Sequence, residues 1–233
     1  MRRARAGDPG NLWIAAREQT KGRGRQGRAW MSPAGNLAAS LLLIDPAPMS
    51  LAPQLGFVAG VALARTVRGL GLAANRAELK WPNDLVVDGA KLSGLLLEAS
   101  QLPDGRLACV VGFGVNIAAH PPGLPYPATS LAEMGVETTA EALLAALAEN
   151  MALWLERWQG GAEFDHIRSA WLEHAAGRDR NIRIVSAGRE LEGIFRGVDA
   201  TGQLMLETKN GRETIAAGDV FLRAAGRPEE TGD

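Results

Sequence analysis

The chain has 233 residues, of which 46% are hydrophobic and 22% are charged, and its formal net charge is −1. This length can bury a substantial core, in one large domain or in a large and a small one. The near-neutral charge excludes a global positive field for nucleic acid, and no apolar run approaches the roughly 20 residues that span a bilayer. A single cysteine, Cys109, excludes an intrachain disulfide framework and is typical of a reducing cytoplasm.

The first unusual stretch is a segment rich in glycine and arginine. Residues 12–17 and 36–44 are predicted to be strands of one sheet, so residues 19–30 form the loop that connects them. From Lys21 to Arg28 this loop holds three glycines and four cations without an acid. Glycine lets backbone N–H groups converge, and arginine matches phosphate or carboxylate oxygens. The segment therefore indicates an anion-binding loop, with a solvated basic loop as the alternative.

The middle of the chain is predicted to contain one helix and an antiparallel meander. The helix covers residues 51–70, with Ser50 as its cap. Turn signals separate four strands, over residues 78–81, 85–87, 91–100 and 106–117. Extended geometry before Pro82 and the Asp-Gly turn that follows place Lys80 and Lys91 on paired strands, so one compact site can hold both.

The last hundred residues are predicted to contain two helices and then a small β-barrel. Thr138 or Thr139 can cap a helix that ends near residue 159, and a second helix covers residues 162–175. From residue 181 onward, turn signals recur about every ten residues, which favours a small barrel. The predicted boundaries are a first domain over residues 1–177, a second over 178–226 and a polar tail over 227–233. Three tryptophans are expected to pack in the core: Trp154, Trp158 and Trp171.

Four motifs in this sequence resemble those of the biotin protein ligases, and they occur in the order found in that family. They are Gly-Arg-Gly-Arg-Gln-Gly-Arg at residues 22–28, Lys-Trp-Pro-Asn-Asp at 80–84, Lys-Leu-Ser-Gly at 91–94 and Gly-Phe-Gly-Val-Asn at 112–116. Weaker similarity continues through residues 195–199 and 218–223. The resemblance implies an α+β fold of the class II aminoacyl-tRNA synthetase-like type, with a mixed sheet, flanking helices and a C-terminal SH3-like β-barrel.

The resemblance also implies a reaction in two steps. Biotin and ATP form biotinyl-5′-AMP and pyrophosphate, and a lysine of a biotin carboxyl carrier protein then takes the biotinyl group. The carrier would belong to acetyl-CoA carboxylase or a related carboxylase, and Mg²⁺ would accompany ATP. Both steps place excess negative charge on phosphorus or carboxyl oxygens, which positioned cations stabilise. Few residues precede the first strand, so we expect the monofunctional type without a DNA-binding domain.

The family's site residues can be carried over by position. Lys91 aligns with a lysine that contacts both the biotin carboxylate and the α-phosphate, and we expect it to be catalytic together with Arg25. The expected biotin-binding set is Gln19, Arg23, Gly24, Arg25, Trp30, Lys91 and Gly94. The expected ATP or adenylate set is Arg23, Arg25, Arg28, Lys80, Asn83, Asn116 and Arg223. Asp84 would either hold Mg²⁺ through water or orient Lys80.

For several of these residues a purely structural role, without contact to a ligand, is the alternative. Lys91 could be a solvated lysine beside a turn, and Trp30 could be a core residue rather than a wall of the site. Gly112 and Gly114 alternate along a predicted strand, which leaves one face bare for the close approach of a ligand. As a dinucleotide fingerprint this pair is weak, because the third glycine and a following helix are missing.

Other functions are also compatible with parts of the sequence. A protein of the same fold could bind biotin or adenylate without catalysis. A lipoate ligase or octanoyltransferase is the enzyme alternative, although cysteine-type transfer needs a placed thiol and Cys109 lies in an apolar run. Binding of RNA through the arginine-rich loop is disfavoured by the neutral net charge and by the few aromatic residues beside the loop.

The N-terminus raises a separate expectation. Residues 4–10 are typical of the end of a helix followed by a turn. Family members carry a Ser-Thr-Asn segment and a helix upstream of this point, and the segment helps to hold biotin, but no Ser-Thr-Asn run occurs here. We therefore expect Met1 to be an internal methionine, with the natural chain starting about 20 or more residues earlier. The chain as given would expose a sheet edge along which two copies could pair.

Overall fold

The computed structural model describes residues 1–74 and 76–222, and a six-stranded sheet forms its larger part. The strands are β1 (Leu12–Ala16), β4 (Leu37–Ile44), β5 (Ala77–Lys80), β6 (Asp84–Val87), β7 (Ala90–Gln101) and β8 (Leu107–Val115). Their order in the sheet is β1-β4-β8-β7-β6-β5. These bounds confirm the predicted meander and the strands on either side of the arginine-rich loop.

Every neighbouring pair in this sheet is antiparallel. The α+β class is confirmed, but the expectation of a mixed sheet is wrong for the described residues. Tight turns join β5 to β6, β6 to β7 and β7 to β8, and such connections reverse the direction of the chain. Parallel pairing in the described part of the chain is limited to two isolated bridges, at Leu79 and at Lys91.

Helices α2 (Gln54–Gly69) and α3 (Ala140–Trp158) pack against the sheet, and α4 (Phe164–Leu172) packs against these two helices. A short helix α1 (Arg2–Arg5) followed by a turn precedes β1, as residues 4–10 predicted. The buried faces of Trp154, Trp158 and Trp171 confirm the expectation that these side chains belong to the core. Helices α2 and α3 leave most of the other face of the sheet available for a site, and α1 packs at the part of that face near Leu42 and Ala108.

The starts of two helices test the predicted caps. The Thr139 side chain accepts a hydrogen bond from Ala142 N at 3.1 Å, which confirms the cap of α3. The predicted cap at Ser50 is wrong, because Ser50 lies in a 3-10 turn and α2 begins after Pro53 without a side-chain cap. Proline already has the backbone angle of a first helical turn, so α2 can start there.

The arginine-rich segment is a hairpin rather than a simple loop, which the sequence did not predict. Strands β2 (Gln19–Arg23) and β3 (Ala29–Ser32) form their own two-stranded sheet. Gly22 lies opposite Trp30, and a Cβ atom at Gly22 would overlap the Trp30 carbonyl oxygen. Glycine is therefore needed at this position for the two strands to pair.

A second antiparallel sheet lies in the C-terminal part. Its strands are β9 (Asn181–Ser186), β10 (Arg189–Val198), β11 (Leu204–Thr208), β12 (Gly211–Ile215) and β13 (Asp219–Leu222). Their order is β12-β11-β10-β9-β13, and a register shift at Phe195 and Gly197 bends β10. The small all-β unit is confirmed, while β12 and β13 are not paired into a closed ring within the described residues.

None of the described helices has the length and apolar content needed to cross a membrane.

Candidate active site

A cavity of about 510 Å³ lies on the face of the six-stranded sheet opposite α2 and α3. The β2–β3 hairpin, strand β13 of the C-terminal sheet, the start of the chain at residues 1–3 and Tyr126 form its other walls. Most of the residues expected from the sequence line it: Gln19, Arg23, Gly24, Arg25, Arg28, Trp30, Lys80, Asn83, Asp84, Lys91 and Gly94. Residues from two distant stretches of the chain, 19–30 and 80–94, are therefore brought to one cleft.

Lys91 is held in the cleft by both its backbone and its ammonium group. Its backbone N donates to Pro127 O at 2.8 Å, and its carbonyl accepts from Thr129 N at 3.0 Å. Lys91 Nζ lies 2.7 Å from Asp84 Oδ1, and the side chain is 19% exposed. This contradicts the alternative of a solvated lysine beside a turn. A lysine that is fixed and partly desolvated in this way is a focused positive charge.

Two aromatic rings flank the same ammonium group. Lys91 Nζ lies 5.7 Å from the centroid of the Trp30 ring and 5.5 Å from that of the Tyr126 ring. These distances fall within the range of favourable cation–π contacts. Tyr126 belongs to the proline-rich segment whose backbone pairs with Lys91, and sequence reasoning did not select it.

The prediction that Lys80 and Lys91 lie on directly paired strands is wrong, because β6 lies between β5 and β7. Asp84 at the start of β6 links them instead: its Oδ2 is 3.5 Å from Lys80 Nζ, and its Oδ1 contacts Lys91. The Asp84 side chain is 12% exposed. Charge pairing at this depth holds both lysines in place.

This arrangement bears on the two roles that the sequence left open for Asp84. A carboxylate that already contacts two ammonium groups is a poor place for a metal cation as well, because like charges in one site repel each other. Within residues 1–74 and 76–222, no cluster of three or more His, Cys, Asp or Glu could hold a metal ion. The residues at Asp84 do not fit a Mg²⁺ site. The geometry favours the other role, in which Asp84 orients Lys80, and it shows that Asp84 also orients Lys91.

Arg25 and Arg28 connect the hairpin to the rest of the cleft. Arg25 Nη1 donates to Asn83 Oδ1 at 3.3 Å and to Gly218 O at 3.2 Å. Arg28 Nη2 donates to Asp219 Oδ1 at 2.8 Å. Burial lowers the pKa of the Arg25 guanidinium, and the nearby Asp219 carboxylate opposes this shift. Arginine stays charged at neutral pH, so both side chains present cationic forks to the cavity.

Other hairpin residues are held less firmly. The Arg23 side chain is 71% exposed, and its Nη2 lies 3.8 Å from Glu98 Oε1. Gln19 is exposed at the start of β2, and Gly24 begins the turn between β2 and β3. All three residues line the cavity. They can therefore reach a ligand in the cavity, but few contacts fix the side chains of Gln19 and Arg23.

Trp30 covers the bare glycine face of the sheet. A Cβ atom at Gly114 would overlap the indole of Trp30, and one at Gly94 would lie 3.2 Å from Trp30 Cζ3. For Gly114, the expectation that a ligand approaches the bare strand directly is therefore corrected, because an indole packs there first. A Cβ atom at Gly112 would meet only Leu96 within 4 Å, so Trp30 does not cover that glycine. Trp30 Nε1 is buried and has no hydrogen-bond partner among the described residues. Trp30 thus lines the cavity and also packs against the sheet.

Two residues of the expected adenylate set are not in the described cleft. Asn116 is 3% exposed and does not line the cavity. Its Nδ2 donates to Thr129 O at 3.0 Å, so it anchors the segment that also pairs with Lys91. Arg223 lies outside the described residues. Asn116 therefore supports the cleft from behind, while residues 112–114 of the same motif line the cavity.

Sequence reasoning missed the cavity residues of β13, which include Asp219 and Phe221. Asp219 and Phe221 are two positions apart on one strand, so they lie on the same face. The motif at residues 218–223 had drawn attention only to its last arginine. The alternation of side chains along the strand could have identified both residues.

Cys109 is fully buried in β8, and burial together with the Asp45 charge raises the pKa of its thiol to about 11. A thiol in this state is not a nucleophile at neutral pH. The geometry therefore disfavours an acyl transfer through cysteine.

Comparison with known proteins first places the chain in a broad class. Residues 6–116 match the biotin/lipoate A/B protein ligase family, and residues 179–223 match the biotin protein ligase C terminal domain. The chain thus falls in the class of the biotin and lipoate ligases.

Individual relatives narrow this class. The chain is 41% identical over 225 residues to biotin–[acetyl-CoA-carboxylase] ligase of Paracoccus denitrificans, covering 91% of each chain. Its structure is similar to biotin protein ligase of Aquifex aeolicus in complex with biotin and ATP, with a TM-score of 0.77, 27% identity and coverage of 91% and 88%. The ligase of Leishmania major with biotinyl-5-AMP has a TM-score of 0.63, 25% identity and coverage of 93% and 92%. The chain belongs to the biotin protein ligase family.

Proposed function

We propose that this protein is an ATP-dependent biotin protein ligase. It activates biotin to biotinyl-5′-AMP and transfers the biotinyl group to a lysine of a carrier protein. The observation that carries the proposal is the position of Lys91 Nζ, held beside Asp84 in the same cavity as Arg25 and Arg28. The relatives named for this activity, and those solved with biotin, ATP or biotinyl-5-AMP, support it.

In the first step, a biotin carboxylate oxygen attacks the α-phosphorus of ATP, and the bond to the pyrophosphate oxygen breaks. The two reacting groups are both anionic and repel each other in water. A lysine ammonium placed between them removes this repulsion and stabilises the charge that develops in the transition state. Lys91 fits this role because Asp84 and two aromatic rings fix its position.

The arginines of the hairpin would bind the phosphates. Arg25 and Arg28 offer planar forks that suit phosphate oxygens, and Lys80 adds a further charge from the sheet. Mg²⁺ would enter with ATP on its phosphates rather than through Asp84. Gln19, Arg23, Gly24, Trp30 and Gly94 form the proposed wall for biotin.

In the second step, the neutral amine of the carrier lysine attacks the acyl carbon of the adenylate. The amide bond forms, AMP leaves with the electron pair of the broken bond, and the amine gives up a proton. Cations that remain near the leaving phosphate stabilise its charge. A covered site would also keep water from the mixed anhydride.

The proposal includes the setting of the enzyme. Residues 1–177 form the catalytic domain, 178–226 the C-terminal domain and 227–233 a tail, of which residues beyond 222 lie outside the described part. The acceptor is the biotin carboxyl carrier protein of acetyl-CoA carboxylase or a related carboxylase. The proposed location is the cytoplasm, and two copies can pair along the exposed edge at β1, which light scattering at increasing concentration would test.

The test mixes purified protein with ATP, Mg²⁺, radiolabelled biotin and a carrier domain. Label on the carrier supports the ligase. Tight binding of biotin without transfer would instead support a non-catalytic binding protein of this fold. A parallel reaction with radiolabelled lipoate separates the ligase from its lipoate-specific relatives, because label from lipoate alone would contradict the proposal.

A further inference from the structure

The C-terminal sheet presents one edge to the cleft. Strand β13 is the last strand in its sheet and pairs only with β9 among the described strands. Carbonyl groups two residues apart on such a strand point to the same side, and one of the two alternating sets points away from the partner strand. The free side of this edge therefore carries hydrogen-bond acceptors that the sheet does not use.

Three consecutive residues at this edge accept hydrogen bonds from three cations of the cleft. The contacts are Gly218 O with Arg25 Nη1 at 3.2 Å, Asp219 Oδ1 with Arg28 Nη2 at 2.8 Å and Val220 O with Lys80 Nζ at 3.4 Å. Asp219 Oδ1 also lies 3.8 Å from Arg25 Nη1. One carboxylate oxygen thus stands between the two guanidinium groups.

This set of contacts has the chemistry of a bound anion. A phosphate would offer Arg25 and Arg28 charged oxygens of the kind that Asp219 already supplies. The other carboxylates near the cleft have different partners, since Asp84 contacts the two lysines and Glu98 lies beside Arg23. Asp219 is therefore the acid that pairs with both arginines and offsets part of their charge.

We propose that Asp219 is a built-in substitute anion, which occupies the arginine pair until the pyrophosphate part of a nucleotide replaces it. This inference rests on the proposed function, because it assumes that Arg25 and Arg28 bind phosphates. A single weak anion gains little by replacing a carboxylate that is already in place. Pyrophosphate has several charged oxygens and can engage both arginines at once, so the arrangement selects for polyphosphates.

The exchange also links the two parts of the molecule. Contacts from Arg25 and Arg28 to the start of β13 hold the hairpin against the C-terminal sheet. When a polyphosphate takes over the arginines, the charged part of this connection is released. Occupation of the cleft therefore changes the docking of the hairpin on β13.

The experiment measures the binding of inorganic pyrophosphate by calorimetry in the absence of biotin. Asp219→Asn removes the competing charge and keeps the shape of the side chain, so pyrophosphate should bind about threefold tighter, as expected for a partly exposed ion pair. Asp219→Glu should keep the parental affinity. Glu213→Gln is the matched control, because Glu213 lies on β12 and pairs with Arg189 outside the cleft.

A double substitution separates competition from a general effect of charge. In an Arg28→Gln background, Asp219→Asn should lose most of its effect, because the pair that it breaks is already absent. Unchanged or weaker binding of pyrophosphate in a folded Asp219→Asn protein overturns the proposal. Biotin transfer by the parent protein is measured separately, so a failure of this inference differs from a failure of the ligase assignment.

Discussion

The lysines and the arginines of the cleft carry the same charge but are held in different ways. Lys80 and Lys91 stand on strands of a six-stranded sheet, and the largely buried Asp84 fixes both. Arg23 and Arg28 stand on a separate two-stranded hairpin, with side chains 71% and 55% exposed. The hairpin's charged contacts reach across to the neighbouring sheet at Glu98 and to the C-terminal sheet at Asp219.

This difference separates two requirements of the proposed reaction. A charge that must stand between two reacting groups has to be placed within a fraction of an ångström, and a packed sheet supplies this rigidity. Groups that admit a nucleotide and then cover it must be able to change partners, and a glycine-containing hairpin with exposed cations allows this. We expect substitutions on the sheet to act on chemistry and substitutions on the hairpin to act on retention.

The largest effect is expected from Lys91→Ala. Loss of a positioned cation should slow adenylate formation about a hundredfold or more, while the fold survives because Asp84 keeps Lys80 at 3.5 Å. Pyrophosphate release and the melting temperature are the measurements, with the exposed Lys209→Ala as control. If Lys91→Ala forms adenylate at the parental rate, Lys91 has no chemical role, and the contrast between the sheet lysines and the hairpin arginines fails.

The contact between sheet and hairpin is probed by Gly114→Ala. The new Cβ would displace the Trp30 indole, so we expect a loss of stability of about 1–3 kcal/mol and weaker binding of biotin. Adding Trp30→Ala should restore part of the stability. Gly56→Ala, in the open surroundings of α2, is the control. A neutral Gly114→Ala would show that Trp30 does not rest on the glycine face.

Arg25→Gly tests the hairpin. The hairpin would lose its fork to Asn83 and Gly218, so biotinyl-5′-AMP should escape roughly tenfold faster and label bystander lysines. Release of labelled adenylate after rapid dilution gives the rate. Arg25→Lys keeps the charge but loses the planar fork, so its release rate should lie between those of the parent and Arg25→Gly. An unchanged release rate would assign Arg25 to a solvated loop.

The smallest effect concerns the support of the sheet behind the lysines. His174 O accepts from Leu79 N at 2.7 Å, beside Lys80, and the His174 ring contacts Arg68 at 2.5 Å. Burial lowers the pKa of His174, and the charges of Arg68 and Arg65 lower it further, although Glu173 opposes this. The folded state therefore favours neutral histidine.

Because the unfolded chain binds the proton more readily, the contribution of His174 to stability is complete above its ordinary pKa of 6.5 and is lost as pH falls below that value. The melting temperature of the parent should decrease between about pH 7.5 and about pH 5.5. The melting temperature of His174→Gln should decrease less over this pH range. Parallel curves for the two proteins would contradict a role for this ring in supporting β5.

Much of the local structure could be predicted from the sequence. The turns at Asp88 and Asp104, the alternation along the strands and the cap at Thr139 use signals that lie within a few residues of each other. The motif residues were also found to line one cavity, because residues close in sequence share a strand or a turn. Asn116 is the exception among the described residues. Its motif did not show that its side chain is buried behind the cleft and bonds to the backbone of Thr129.

What only the tertiary structure decided was the choice of partners. Asp84 could have held a metal, but the strand order places it between Lys80 and Lys91. Gly114 could have met a ligand, but the hairpin lays Trp30 on it. Arg28 and Asp219 are 191 positions apart, and no local signal links them. Sequence patterns encode periodicity and backbone preference over short distances, whereas ion pairs and packing depend on which strands the completed fold brings side by side.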